Sequence, residues 1–170
     1  LQSQGYKIED VPNVHVQNLM RYVSDPTNVL SNSATTTIDS ILYALDESTG
    51  IETAVIVLPS IGSEDCFDFA NQLFNKWGVG KKEKDNGLVI LLVTDQRCIQ
   101  FETGYGLEGY LPDAISKRIQ TQYMIPYLRS NDWDNGMVAG IRAVYVRLNG
   151  TMVNNTPQDD ENNSSSFFFI

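Results

Sequence analysis

Six polar side chains at predicted turns or strand ends have the right chemistry to work together: Asp25, Asp85, Asn86, Glu102, Glu108 and Asp113. Carboxylates and amides are hard oxygen donors, and such donors gathered at loops suit calcium or magnesium. Asp85-Asn86-Gly87 precedes an unbroken apolar run, 88–93, and the segment 102–113 closes and follows the run's predicted hairpin partner. In an antiparallel pair the start of one strand lies beside the end of the next, so these two loops are expected to converge. Each residue also has a local reading. Asp85-Asn86-Gly87 is good turn chemistry, and Asp113 suits the first turn of a helix.

Other chemistries find less support. The six residues 104–109 fit G-x-G-x-x-G, but the strand before them is half of a tight hairpin rather than the first strand of a parallel βαβ unit. No strand follows the next helix to carry a ribose-binding acid, and Glu108 would face a pyrophosphate. No nucleotide cofactor is therefore expected. His15 is the single histidine and lies in an unpatterned arm, so a Ser-His-Asp or Cys-His arrangement has nothing better to use. Cys66 and Cys98 match no metal or redox spacing. Two buried thiols are the plainer reading; a disulfide, the alternative, would suit an oxidising compartment. One histidine and no cysteine pair leave zinc without ligands. With 12 basic and 21 acidic residues the net charge is -9, which repels phosphate backbones and excludes nucleic acid as a partner class.

The elements that must position these groups fit one core in 170 residues. Ser31 caps a helix carried by Ala34, Ile38, Ile41, Leu42 and Leu45 and ended at Thr49-Gly50, despite an unfavourable Thr35-Thr36-Thr37 run. A β-branched strand follows over 51–58. Ser63 opens a second helix, with Ala70, Leu73, Phe74 and Trp77 on its buried stripe and Gly78 at its end. The run 88–93 reads as a strand covered on both faces, and 97–102 as its hairpin partner. Pro112-Asp113 opens a third helix, which Pro126 interrupts, and Asn131 or Asp132 opens a last one stopped by Asn149-Gly150. Trp77, Phe74, Leu73 and Ile90 are expected in the core. Helices and strands in this order predict an α/β fold, a three-layer α/β/α sandwich with a mixed sheet. Residues 1–22 read as an extended N-terminal arm, 23–151 as the domain, and 152–170 as a disordered polar linker. Phe167-Phe168-Phe169-Ile170 is either the end of that tail or the first turn of a membrane helix.

In combination these residues resemble the TPM domain family. The resemblance is carried by Val23-Ser24-Asp25 with Leu30-Ser31, Trp77-Gly78-Val79-Gly80 and Asp85-Asn86-Gly87-Leu88-Val89-Ile90-Leu91. It continues through 97–104, Gly104-Tyr105-Gly106-Leu107-Glu108, Leu111-Pro112-Asp113 and 132–140, covering roughly 22–150. It implies an α/β/α domain outside the cytoplasm, usually behind a signal peptide and often tethered by a membrane anchor beyond the domain. Thylakoid-lumen relatives are linked to acid phosphatase activity and photosystem II repair, others bind calcium in a shallow acidic crevice, and animal relatives include a receptor-modulating membrane protein. Carried over, the crevice maps onto Asp25, Asp85, Asn86, Glu108 and Asp113; Glu102 is added from hairpin geometry. The expectation is an envelope protein that binds calcium and hydrolyses phosphomonoesters weakly through metal-bound water. The rival is a non-catalytic module for assembly or repair that docks a membrane or envelope protein.

Overall fold

The apolar run at 88–93 sets the architecture. It forms strand β3 (Gly87–Val93), in which every residue is buried. Such a strand needs partners on both edges and cover on both faces. In the computed structural model, which describes residues 5–154 and 164–169, β2 (Glu52–Leu58) pairs with β3 in parallel along its full length. β4 (Cys98–Thr103) pairs with β3 antiparallel through the predicted hairpin. A two-residue strand, β1 (Val23–Ser24), adds in parallel beside β2, and β5 (Ser164–Phe168) adds antiparallel beside β4. Spatial order follows chain order, β1 to β5.

Helices cover both faces. After α1 (Val14–Gln17), α2 (Asn32–Thr49) and α6 (Trp133–Asn154) pack on one side with Val55, Val57, Ile90 and Leu92. α3 (Cys66–Trp77) covers the other with Ile56, Leu58, Val89 and Leu91. This is the three-layer sandwich with a mixed sheet that the order of elements predicts. The crossovers β1–α2–β2 and β2–α3–β3 step the same way across the sheet yet carry their helices over opposite faces. They therefore have opposite hands, and one belongs to the rare left-handed class.

Local chemistry explains most boundaries. Ser31 caps α2 by accepting the Ala34 N–H at 3.1 Å, and the burial of Ala34, Ile38, Leu42 and Leu45 outweighs the poor propensity of the threonine run. The cap of α3 is Asp65, two residues after the expected Ser63. Pro126 does not stop its helix. α4 (Asp113–Ile119) passes into a π-turn, Gln120–Met124, and then into α5 (Ile125–Leu128), a wider winding that accommodates the proline. α6 likewise runs through Asn149-Gly150.

Three expectations need correction. The arm at 1–22 is not extended where it is described: it holds a 3-10 turn, Ile8–Asp10, and α1, and Tyr6 is held by its N–H to the Ser60 carbonyl at 2.8 Å. The tract 152–170 is not wholly a polar linker. Residues 152–154 belong to α6, 164–168 form β5, and Phe169 is fully buried beside Trp133 and beneath the Arg97 guanidinium. Averaging composition over the tract hid Phe169, which buries its ring; 155–163 lie outside the described residues. Leu73 and Ile90 are core residues, but Phe74 and Trp77 are only partly buried against the α3-side cluster. Among the described residues, no helix is long and apolar enough to cross a membrane.

Cys66 and Cys98 are bonded rather than two free thiols, joining the first residue of α3 to the first of β4 across 32 positions. A closed loop of that length restricts the unfolded chain by about 3–4 kcal/mol. Denaturant unfolding with and without reductant is expected to differ by that amount. Leu73→Ala is expected to cost about 2–5 kcal/mol by opening a cavity, and Trp77→Ala less than Leu73→Ala because its ring is partly solvated already.

Candidate functional site

The hairpin brings two loops together at the β3-start edge of the sheet. Asp85 sits in a left-handed conformation, φ 49°, and holds the 3-10 turn Tyr105–Leu107. Its Oδ2 accepts the Tyr105 N–H at 3.1 Å and its backbone carbonyl accepts the Gly106 N–H at 2.8 Å. A Cβ on Gly104 would run into Asp85, and one on Gly106 into the Lys84 carbonyl. Gly104 and Gly106 thus let two backbones touch.

Asn86 is 3% exposed and its amide is engaged. Oδ1 accepts the Lys81 N–H at 2.8 Å, and Nδ2 donates to the Gly50 carbonyl at 2.8 Å. It braces the end of α2, the following loop and the start of β3, which is a structural use of the side chain.

Glu102 is the most unusual group here. It lies near the end of β4, opposite Val89, and is 8% exposed. Asn71 Nδ2 donates to Oε1 at 3.3 Å, while Oε2 has no hydrogen-bond partner among the described residues. Burial pushes its pKa up to about 7; the Asn71 bond opposes this and the nearby Glu108 charge adds to it. Asp113, at the first turn of α4, is 5% exposed and pairs through Oδ2 with Lys117 Nζ at 3.0 Å. Its Oδ1 is buried without a partner among the described residues.

Asp25 stands apart from these residues. Ser24 is level with Ile56, whereas Gly87 is level with Glu52, so Asp25 lies at the far ends of the parallel strands and Asp85 at their beginnings. Its carboxylate accepts the Val29 and Leu30 N–H groups at 2.9 and 2.8 Å, closing the turn before α2. The structure therefore gathers Asp85, Asn86, Glu102 and Glu108 around one edge, with Asp113 on the helix that leaves it. His15 has its Nδ1 2.9 Å from the Arg21 carbonyl oxygen and its ring stacked on Tyr22.

Asn71 was not among the sequence candidates. Its only signal is a polar residue beside the apolar stripe Ala70, Leu73 and Phe74.

The donors have the chemistry a hard cation needs, and the unpartnered Glu102 oxygen beside Glu108 is the clearest opening for one. Their number falls short: among the described residues, no three His, Cys, Asp or Glu side chains come together closely enough to hold a metal ion. Without a cation, Glu102 should behave as a proton-binding group. Its folded pKa lies above its ordinary 4.5, so its protonation stabilises the fold fully below about pH 4.5 and that stability is lost as pH rises through about 7. The fall across this window should reach at most about 3 kcal/mol and should largely vanish in Glu102→Gln, measured by denaturant unfolding from pH 4 to 8.

A model of the TPM domain matches residues 23–147. Among solved structures, the N-terminal domain of a P. gingivalis protein is 41% identical, with a TM-score of 0.82 over 94% of this chain and 100% of that one. The N-terminal domain of a Corynebacterium glutamicum protein has a TM-score of 0.62 at 17% identity, covering 95% of this chain and 96% of that one. The BA42 protein of Bizionia argentinensis also scores 0.62, at 16% identity over 77% and 86% of the two chains. These last two are similar in fold alone. Among curated proteins, none matches. The match over 23–147, with the 41% identical relative, shows that this chain belongs to the TPM domain family.

Proposed function

We propose that this chain is an extracytoplasmic TPM domain that binds calcium weakly at the edge bearing Glu102 and Glu108, with Asp85 and Asp113 as further oxygen donors. The observation that carries this reading is the buried Glu102 carboxyl, with one unpartnered oxygen and a second carboxylate nearby. Such a pair costs stability when both ionise, and a divalent cation relieves the repulsion. Two or three carboxylates without a closed cage suit affinities toward the millimolar end of the calcium range. The Cys66–Cys98 bond supports the compartment, because disulfides persist where thiols are oxidised.

Phosphomonoester hydrolysis is the weaker part of the proposal. The single histidine, His15, is engaged by the Arg21 carbonyl and the Tyr22 ring, so hydrolysis at the acidic edge would depend on water activated by the cation. The same observation favours a second reading, a non-catalytic module whose acidic edge is an ion-dependent docking surface.

Calcium at a few millimolar is expected to raise the thermal midpoint and to shift amide resonances at 85, 102, 105–108 and 113. Glu102→Gln should reduce the midpoint shift several-fold, while Asp25→Asn should leave it intact. Shifts spread evenly over the surface, or none, would exclude the cation site. Turnover of p-nitrophenyl phosphate that chelator abolishes and Glu102→Gln diminishes would favour catalysis, and calcium binding without turnover would favour the docking module.

A further inference from the structure

A second charged feature is a recess lined by arginines and by no acid. A groove of about 510 Å³ runs between the α4–π-turn segment and α6, and Arg118, Arg142 and Arg147 all line it. Three of the chain's 12 basic residues are therefore in this groove, and none of its 21 acids is. In a protein of net charge -9, that is a local reversal of sign.

Arg118 and Arg142 are exposed, and neither forms an ion pair among the described residues. Arg147 is held in place by its Nε–H, which donates to the Tyr110 carbonyl at 2.9 Å. Burial lowers the Arg147 pKa, and the nearby Arg118 charge lowers it further, so like charges face one another across the groove.

The remaining walls are mostly apolar. Ile115 contributes from α4, and Val146, 69% exposed, from α6. Tyr123, 46% exposed, comes from the π-turn, a winding that is frequent at functional sites. The volume falls within the usual range of small-molecule clefts.

We propose that this groove binds a small amphipathic anion, an apolar body bearing a carboxylate or phosphate head, with Arg118 and Arg142 on the head and Ile115, Tyr123 and Val146 along the body. Planar guanidinium groups match both kinds of head by paired hydrogen bonds. A single molecule fits better than an anionic membrane surface. The groove has the volume of a small-molecule cleft, whereas a membrane would meet the -9 charge of the whole protein.

The test is an NMR titration of the intact chain with octyl phosphate below its micelle concentration, beside inorganic phosphate, neutral octyl glucoside and phosphatidylglycerol vesicles. Octyl phosphate should shift resonances of 115–123 and 139–147 and bind at least tenfold more tightly than the other two soluble probes. Arg118→Gln with Arg142→Gln should weaken it by roughly tenfold or more while leaving the thermal midpoint unchanged. Ala139→Leu, which adds volume to the lining, should also block it. Equal binding of octyl glucoside would leave only an apolar contact, and equal binding of inorganic phosphate would make the apolar walls irrelevant; either overturns the proposal. So would vesicle binding without octyl phosphate binding, or shifts that lie elsewhere.

Discussion

Everything in this fold depends on β3 having no exposed face. A strand of Gly-Leu-Val-Ile-Leu-Leu-Val can exist in water only inside a sheet and between layers, so its burial requires α3 on one side and α2 with α6 on the other. That requirement also fixes the site. β3 is flanked by β2 in parallel and β4 antiparallel, so the start of β3 and the end of β4 share an edge. Asp85 and Glu102 reach that edge from opposite directions along the chain. The disulfide ties α3 to β4, and Asn71 of α3 reaches Glu102 further along the same pair of elements.

The fold was legible wherever the sequence pattern was local. The β3 run, the Ser31 cap, the hairpin and the buried stripe of α2 each announce themselves within a few residues. β1 does not, because two residues have no period; it is a strand only because Val55 and Ile56 of β2 lie beside it. β5 was hidden for a related reason. Ser164–Phe168 pairs with a strand more than sixty positions earlier, and its phenylalanines look like an isolated apolar tail until Arg97 and Trp133 are in place around Phe169. Pro126 was legible as a disruption but not as a π-turn. Whether a helix breaks or rewinds depends on what packs beneath it, and here Met124 and Leu128 lie where Gly140 and Gly136 of α6 leave room.

The candidate site was legible to the same degree and for the same reason. Convergence of the loops around Asp85 and Glu102–Glu108 follows from hairpin geometry, which a sequence does show. Asp25 was misplaced relative to them because strand direction between β1 and β3 is a long-range property, and parallel pairing puts it at the opposite edge. Asn86 reads as an oxygen donor in sequence, yet burial turns its amide inward to Lys81 and Gly50. Side-chain chemistry names what a residue can do; only its partners show what it has already been used for.

The segment 104–112 joins the two charged regions. At one end Asp85 holds the Tyr105 and Gly106 N–H groups; at the other, the Tyr110 carbonyl holds Arg147. Glu108 lies between these clamps and acts electrostatically on Glu102. The connection is too tightly seated against Lys84 and Asp85 to tolerate a side chain at Gly104 or Gly106. The acidic edge and the arginine groove carry opposite charge, yet one short segment makes backbone hydrogen bonds to a residue of each.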